Sequence, residues 1–143
     1  MSGVRGYIFS RPFLGERVPQ HVQNIVIRDY CARKKLTYLL SATEYAMSDC
    51  YIMLEQTLSD IRNLDGIVCY SLFQLPTNRC HRKAIYERIL DNGRQLHFSV
   101  ESLSILELRD IQRVDDIWEV RTVLPKALSA TELTEKYSSS DSI

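Results

Sequence analysis

The sequence predicts a single α/β domain with a small, mostly parallel, four-stranded sheet flanked by helices and followed by C-terminal helices. Two observations predict this fold class. Four short apolar runs are too continuously apolar for surface helices, which is typical of strands covered on both faces. Segments with helical spacing separate these runs, and strands that alternate with helices over short loops form right-handed parallel crossovers.

The first run covers residues 4–10 (VRGYIFS) and ends in a turn-like segment. Pro19 then favours the first position of a helix, because the N–H that proline lacks is not needed there. Apolar residues follow at helical spacing: Val22, Ile25, Val26 and Tyr30. We therefore expect a helix of about four turns.

The remaining elements alternate in the same way. Strands are predicted at residues 36–42, 67–71 and 96–100, with loops at 43–49 and 73–78. Two helices lie between these strands, on the spacing of Tyr51, Leu54, Leu58 and Ile61 and of Ala84, Ile85, Ile89 and Leu90. The pair Asn92-Gly93 ends the second of them, because glycine adopts the left-handed conformation of a helix end without strain.

Beyond residue 101 the pattern becomes helical. One helix is predicted over residues 103–111 and another over 117–124, ending before Pro125 because proline lacks the N–H that a helix interior uses. We expect one domain over residues 1–126, with its helical part from about residue 103, and a C-terminal helix or flexible tail over 127–143.

Composition and charge limit the function classes. The chain has 18 basic and 18 acidic residues, whereas duplex DNA-binding proteins usually carry an excess of basic residues. No secretory signal or membrane-spanning stretch is visible, so the expected location is the cytoplasm. The four cysteines, Cys31, Cys50, Cys69 and Cys80, form no CxxC pair and are interpreted as reduced core residues without a metal.

Polar side chains follow each predicted strand, and the carboxyl ends of parallel strands meet at one edge of a sheet, where ligands bind. They are Ser10 and Arg11 after the first strand, Thr43, Glu44 and Tyr45 after the second, Ser71 and the loop 74–79 with Arg79 after the third, and Glu101 after the fourth. Gln20 and His21 belong to the first helical turn at the same edge, where free amides favour an anion.

Three of these residues are candidate catalytic groups: Glu44 or His21 would move protons, and Ser10 would hydrogen-bond or attack. The others are candidate substrate-binding residues, with Arg11 as a fork for a phosphate. Each also has a structural interpretation. A serine often satisfies backbone groups at a strand end, and loop glutamates are mostly solvated.

A second cluster, of basic residues, lies at the start of the predicted third helix, where the helix dipole makes positive charge unfavourable. It consists of Arg79, His81, Arg82 and Lys83. Basic residues at a helix start indicate that an anion or an acidic partner could bind there. The sequence contains no Walker loop, GxGxxG motif or GxSxG elbow, so it assigns no cofactor.

Four segments, GYIFS (6–10), IRDYCARKKL (27–36), DGIVCYSLFQL (65–75) and NGRQLHFSVE (92–101), resemble the catalytic domain of resolvase-type serine recombinases. The resemblance implies a resolvase-like, flavodoxin-like three-layer fold, with Ser10 at the position of the serine that attacks DNA. The family's arginines before that serine and after the third strand are replaced here, by Ile8-Phe9 and by residues 72–77. Because such arginines stabilise the phosphoryl transition state, recombination is not expected.

A longer resemblance involves GYIFSRPFLGERVPQHVQN (6–24), LLSATEYAM (39–47), DGIVCYSLFQLP (65–76) and LHFSVE (96–101). On these segments the chain resembles the sporadic carbohydrate cluster proteins, a family encoded in bacterial gene clusters for surface polysaccharides such as lipopolysaccharide or capsule. This resemblance implies a role in making or modifying an activated sugar.

The leading hypothesis is an enzyme of surface-carbohydrate biosynthesis that binds a sugar phosphate, an acidic sugar or a nucleotide sugar at the carboxyl edge. The phrases YIFSRPF and DGIV are also loosely similar to nucleoside deoxyribosyltransferases, in which a glutamate is the nucleophile. The third hypothesis is a non-catalytic partner or regulatory subunit that associates through its C-terminal helices. A homodimer is the expected oligomer.

Overall fold

The computed structural model describes residues 3–135, with side chains up to residue 122. It confirms an α/β fold with a mostly parallel sheet, whose strand order is β2-β1-β3-β4-β5. The strands are β1 (Val4–Phe9), β2 (Tyr38–Glu44), β3 (Gly66–Cys69), β4 (Gln95–Phe98) and β5 (Leu103–Ile105). The helices are α1 (Gln20–Arg33), α2 (Ile52–Ser59), α3 (Arg79–Asp91) and α4 (Leu108–Glu135), with 3-10 turns at Ile61–Asn63 and Leu72–Gln74.

The chain forms two compact units, one ending at Ile111 and the other beginning at Gln112. All five strands and α1 to α3 belong to the first unit. The first unit therefore contains every residue of the candidate site. The domain boundary expected near residue 126 stays a prediction.

The interior strand β1, between β2 and β3, has helices on both of its faces. Val4 and Ile8 form a buried cluster with Ile27 and Tyr30 of α1. Because successive side chains of a strand alternate, Tyr7 points to the opposite face. Right-handed crossovers place α2 and α3 on that face.

The sheet has a fifth strand that the sequence pattern did not reveal. Leu103–Ile105 pairs antiparallel with β4, so the predicted four-stranded sheet is wrong. The helix predicted over 103–111 is wrong in its first part, because the observed helix begins at Leu108. Leu103 and Ile105 are buried and Ser104 between them is half-buried, which is the alternation of a strand. The helical spacing that continues to Ile111 concealed this short alternation.

The C-terminal part of the described chain is one helix and not two. α4 continues past Pro125, so the helix end predicted there is wrong. Proline removes one backbone hydrogen bond, but the remaining hydrogen bonds of a 28-residue helix keep the segments before and after it helical. Of the C-terminal helix or flexible tail predicted over residues 127–143, residues 127–135 belong to α4 and residues 136–143 lie outside the described residues. No helix within the described residues combines the length and apolar composition needed to cross a bilayer.

The edge strand β2 lies two residues later in the chain than the strand predicted at 36–42, and its pairing with β1 is irregular. It begins at Tyr38 and includes Thr43 and Glu44, which were predicted to lie in a loop. Its register against β1 contains one extra residue, since Leu40 and Ser41 together face the single position of Gly6. The shift places the carboxylate of Glu44 at the end of the strand and not in the following loop.

The cysteines follow the predicted pattern only in part. Cys31, Cys50 and Cys69 are buried and free, as expected. Cys80 is exposed in the first turn of α3, so its interpretation as a core residue is wrong. Burial raises the pKa of the Cys31 thiol to about 11, which keeps it protonated and unreactive at neutral pH.

Candidate functional site

The ends of β1 and β2 bring together four of the predicted site residues. Ser10 Oγ donates a hydrogen bond of 2.6 Å to the carbonyl oxygen of Glu44. A carbonyl oxygen cannot remove the proton of a hydroxyl, so this contact does not activate Ser10 as a nucleophile. It ties the end of β1 to the end of β2.

The Glu44 carboxylate lies inside the protein, with 1% of the residue exposed. It accepts hydrogen bonds from the Tyr7 hydroxyl at 2.8 Å and from the amides of Met53 and Leu54 at 3.0 and 3.1 Å. These amides belong to the first turn of α2, where a negative charge is favourable. Burial raises the pKa of Tyr7, and its hydrogen bond to Glu44 adds to this effect. In this arrangement Glu44 fixes the start of α2.

Arg11 is also directed inward, with 9% of the residue exposed. Its Nη1 donates to the carbonyls of Tyr45 and Cys50, both at 2.9 Å. The guanidinium carbon lies 4.1 Å from the ring centre of Phe9 and 5.1 Å from that of Tyr51. These contacts hold the loop between β2 and α2, so the structure does not present Arg11 as an open phosphate fork.

Two buried glutamines occupy the crevice between β1 and β3, where the order of the strands reverses. Gln23 of α1 bonds both the N–H and the carbonyl of Phe9, at 3.0 and 2.9 Å. Gln74 donates to Gln23 Oε1 at 2.8 Å. Ligands of parallel sheets commonly bind at this position. Here the two side-chain amides fill it.

Ser71 and Glu101 meet at the ends of β3 and β4. Ser71 Oγ donates to Glu101 Oε2 at 2.8 Å, and the amide of Leu72 donates to Oε1 at 2.9 Å. Ser71 Oγ in turn accepts from the amide of Phe73. This pair stabilises the 3-10 turn after β3.

The other predicted site residues lie apart from these contacts. Gln20 and His21 are exposed in the first turn of α1, Thr43 is half-buried within β2, and Arg79 is exposed at the start of α3. Among the described residues, no hydrogen bond joins His21 to Ser10 or Glu44. Ser10 and Glu44 are thus in contact through a hydrogen bond, whereas His21 is exposed and, within this described part of the chain, makes no hydrogen bond to either of them.

An open cleft lies beside these ends, between the β2–α2 loop and the β3–α3 loop. It has a volume of about 210 Å³. Its lining combines a carboxylate, a phenol, a hydroxyl, an amide and an imidazole: Asp49, Tyr51, Pro76, Thr77, Asn78 and His81. We refer to it as the carboxyl-edge cleft.

Buried contacts hold the wall of the carboxyl-edge cleft in place. Arg82 is 1% exposed, and its Nη1 donates to the carbonyls of Pro76 and Thr77 at 3.2 and 2.8 Å. The predicted open cluster of basic residues is therefore wrong for Arg82, because its guanidinium bonds the cleft loop from inside. Asn78 caps α3 by accepting the amide of His81 at 2.8 Å.

His81 connects the carboxyl-edge cleft to an ion pair. Its Nε2 lies 4.0 Å from Glu55 Oε2, and Glu55 Oε1 accepts a 2.9 Å hydrogen bond from Arg88. The Tyr51 and His81 rings meet edge to face, with centres 6.0 Å apart. The ring of His81 therefore has a fixed charged neighbour on α2 and an aromatic neighbour in the cleft.

Only part of this cleft was visible in the sequence. Thr77 and Asn78 lie in the loop that was predicted to follow the third strand, and His81 belongs to the predicted basic cluster. Asp49 ends the predicted loop 43–49 but is not among the predicted site residues. Tyr51 was interpreted as a core residue of a helix, whereas it precedes α2 and is half-buried.

Comparisons with known proteins support the fold and assign no activity, substrate or partner. No protein-family model and no curated protein sequence matches the chain. The chain is similar to a resolvase family site-specific recombinase from Streptococcus pneumoniae, with a TM-score of 0.58 and 10% identity over 89% of this chain and 93% of that chain. It is also similar to the N-terminal catalytic domain of TP901-1 integrase, with a TM-score of 0.56 and 13% identity over 86% of this chain and 98% of that one. The predicted resolvase-like three-layer fold is thereby confirmed.

Proposed function

We propose that the protein binds a small anionic sugar in the carboxyl-edge cleft and serves bacterial surface-carbohydrate biosynthesis. The observation that carries this proposal is the cleft lining, in which a carboxylate, hydroxyls, an amide and an imidazole surround one cavity. The resemblance of four sequence segments to sporadic carbohydrate cluster proteins supports the ligand class.

The size of the cleft favours one part of this class. A volume of about 210 Å³ is below the roughly 300–1,000 Å³ of sites that enclose drug-sized ligands. A sugar phosphate or an acidic sugar matches this size, whereas a nucleotide sugar would extend out of the cleft. The proposed ligand is therefore a sugar phosphate or an acidic sugar and not a nucleotide sugar.

Different lining groups contact different parts of the proposed ligand. Asp49 accepts hydrogen bonds from sugar hydroxyls, since a carboxylate is purely an acceptor. The half-buried ring of Tyr51 provides an apolar surface for the sugar ring. His81, when protonated, donates to the anionic group.

The catalytic roles of Ser10, Glu44 and His21 stay predictions. Glu44 already accepts hydrogen bonds from α2 and Tyr7, so it does not offer a free carboxylate as a general base or a glycosyl-accepting nucleophile. Binding in the carboxyl-edge cleft does not require these residues.

The test is calorimetric titration of the protein with glucose phosphate, glucuronate and UDP-glucose, using Asp49→Asn and Asp91→Asn. Asparagine tolerates the left-handed conformation of residue 49 (φ 56°), so the first variant keeps the loop and removes the charge. We expect glucose phosphate or glucuronate to bind more tightly than UDP-glucose, and Asp49→Asn to weaken binding about tenfold.

The matched control is Asp91→Asn, at the opposite end of α3, and we expect it to bind like the wild type. Two results would contradict the proposal. One is that neither small sugar binds. The other is that Asp49→Asn binds them with unchanged affinity.

A non-catalytic partner role is the second candidate, and one surface of α4 favours it. Ile117 and Val120 form a shallow apolar depression of about 310 Å³ between Asp116 and Arg121, and Val120 is 62% exposed. An exposed apolar patch on a helix is typical of association surfaces. If no sugar binds, this role becomes the leading one, with a homodimer as its simplest form.

A further inference from the structure

We infer that α4 pairs in parallel with α4 of a second copy of the chain, through a short apolar seam that has an ion pair on each side. The seam consists of Ile117 and Val120, and each ion pair joins Asp116 of one copy to Arg121 of the other. This inference rests on the partner role, the second candidate function, and gives it a defined geometry. It does not depend on the sugar proposed for the carboxyl-edge cleft.

The exposed face of α4 is apolar at its centre and charged at its borders. Ile117 and Val120 line the depression of about 310 Å³, and Val120 is 62% exposed. Asp116 and Arg121 line the same depression and are exposed as well. Trp118, on a different face of the helix, is buried. The described part of α4 therefore presents one distinct face on which a second helix can pack.

The spacing of these residues matches that of two parallel helices. Apolar residues three apart, here Ile117 and Val120, form the seam between paired helices, and a β-branched residue at the first position favours a parallel pair. Asp116 comes directly before the seam and Arg121 directly after it. In a parallel pair, the residue before the seam on one helix faces the residue after it on the other. Two-fold symmetry therefore forms the Asp116–Arg121 contact twice.

The charges disfavour an antiparallel pair. In that arrangement equivalent flanking positions share one side of the interface, so Asp116 would face Asp116 and Arg121 would face Arg121. Within one helix the two residues are five apart, whereas close neighbours are three or four apart. Gln112 donates to Asp116 Oδ1 at 2.8 Å, and a carboxylate can accept further bonds. Asp116 can therefore pair with the second copy.

The short length of the seam makes the expected dimer weak. Arg113 lies one turn before Ile117 on the same face and would meet its equivalent in the second copy, so the favourable contact begins after it. Stable interfaces bury roughly 1,200–2,000 Å², which about two turns of helix do not reach. We expect a dissociation constant of the order of 10–100 µM.

The experiment is sedimentation equilibrium of the sugar-free protein from about 10 to 500 µM, at low ionic strength, where exposed ion pairs are least screened. Asp116→Arg and Arg121→Asp each turn both ion pairs into like-charge contacts and should weaken the dimer by at least about tenfold. The double exchange, Asp116→Arg with Arg121→Asp, restores opposite charges across the seam and should recover the wild-type affinity. Damage to the helix does not predict this recovery.

The matched control is Glu119→Arg, which makes the same change of charge at an exposed position of α4 away from the seam. We expect it to dimerise like the wild type. The inference is wrong if the wild type is monomeric over the whole concentration range. It is equally wrong if either single exchange leaves the affinity unchanged, or if the double exchange does not recover it. Because no sugar is present, these results leave the ligand of the carboxyl-edge cleft to its own titration.

Discussion

At the scale of single residues, His97 shows how burial sets the charge of a side chain. It lies in β4, 6% exposed, with Nδ1 at 2.8 Å from the Tyr30 hydroxyl and Nε2 at 2.9 Å from Gln95 Oε1. A neutral ring accepts from Tyr30 and donates to Gln95, so both nitrogens are satisfied. Burial, assisted by the nearby charge of Lys34, lowers the pKa of His97 from 6.5 to about 4.

This lowered pKa predicts a loss of stability in mild acid. The unfolded chain takes up a proton near pH 6.5 and the folded chain only near pH 4, so the free energy of unfolding falls as the pH falls between these values. The expected contribution is about 3 kcal/mol, present in full above pH 6.5.

Urea unfolding of the wild type and of His97→Asn between about pH 4 and 7 measures this contribution. The variant should lose less stability on acidification than the wild type. His21→Gln removes an exposed histidine and should keep the wild-type pH dependence. Equal pH dependence in His97→Asn and the wild type would show that His97 does not titrate differently on unfolding.

At the scale of elements, the close approach of β3 and β4 depends on Gly66. A Cβ atom at this position would overlap the backbone of Gln95, including its carbonyl oxygen. The clash involves the paired strand itself, which cannot move without breaking the ladder, so we expect Gly66→Ala to destabilise the fold by about 3 kcal/mol.

Thermal unfolding measures this cost against a second glycine. Gly15 is in an exposed turn with a φ of 75°, and a Cβ atom added there would meet no other atom within 4 Å. Gly15→Ala should therefore cost only about 1 kcal/mol of conformational strain. If the two substitutions have equal effects, the packing of β3 against β4 does not limit the size of residue 66.

At the scale of the whole molecule, the balance of charge predicts no affinity for duplex DNA, although the fold is that of recombinase catalytic domains. The chain has 18 basic and 18 acidic residues, and most non-specific DNA affinity comes from basic side chains that neutralise phosphates. Fluorescence anisotropy at physiological salt should show no binding at concentrations up to about 100 µM. Binding that weakens steeply with added salt would contradict this prediction.

Most of the architecture could be predicted from the sequence, because periodicity is a local property. The alternation of apolar runs with helical spacing was sufficient for β1 to β4 and for α1 to α3. It failed at Leu103–Ile105, where three residues are too few to show a period, and at Pro125, where a long helix continues.

The candidate site was less predictable, because hydrogen-bond partners depend on the folded structure. The sequence placed Arg11 and Glu44 at the correct edge of the sheet. It could not show that the carbonyls of Tyr45 and Cys50 engage Arg11, or that the start of α2 engages Glu44. Those partners come from other segments, and they leave the neighbouring Asp49 and His81 facing an open cleft.

The extra residue in β2 also affects how copies of the molecule meet one another. β2 is an edge strand, and residues 38–43 include no charged side chain, a composition that favours fibril-like stacking of exposed strands. The bulge at Leu40 and Ser41 interrupts the regular spacing of N–H and carbonyl groups along that edge. A foreign strand can therefore match only a few residues at a time, which protects the chain against aggregation along this edge.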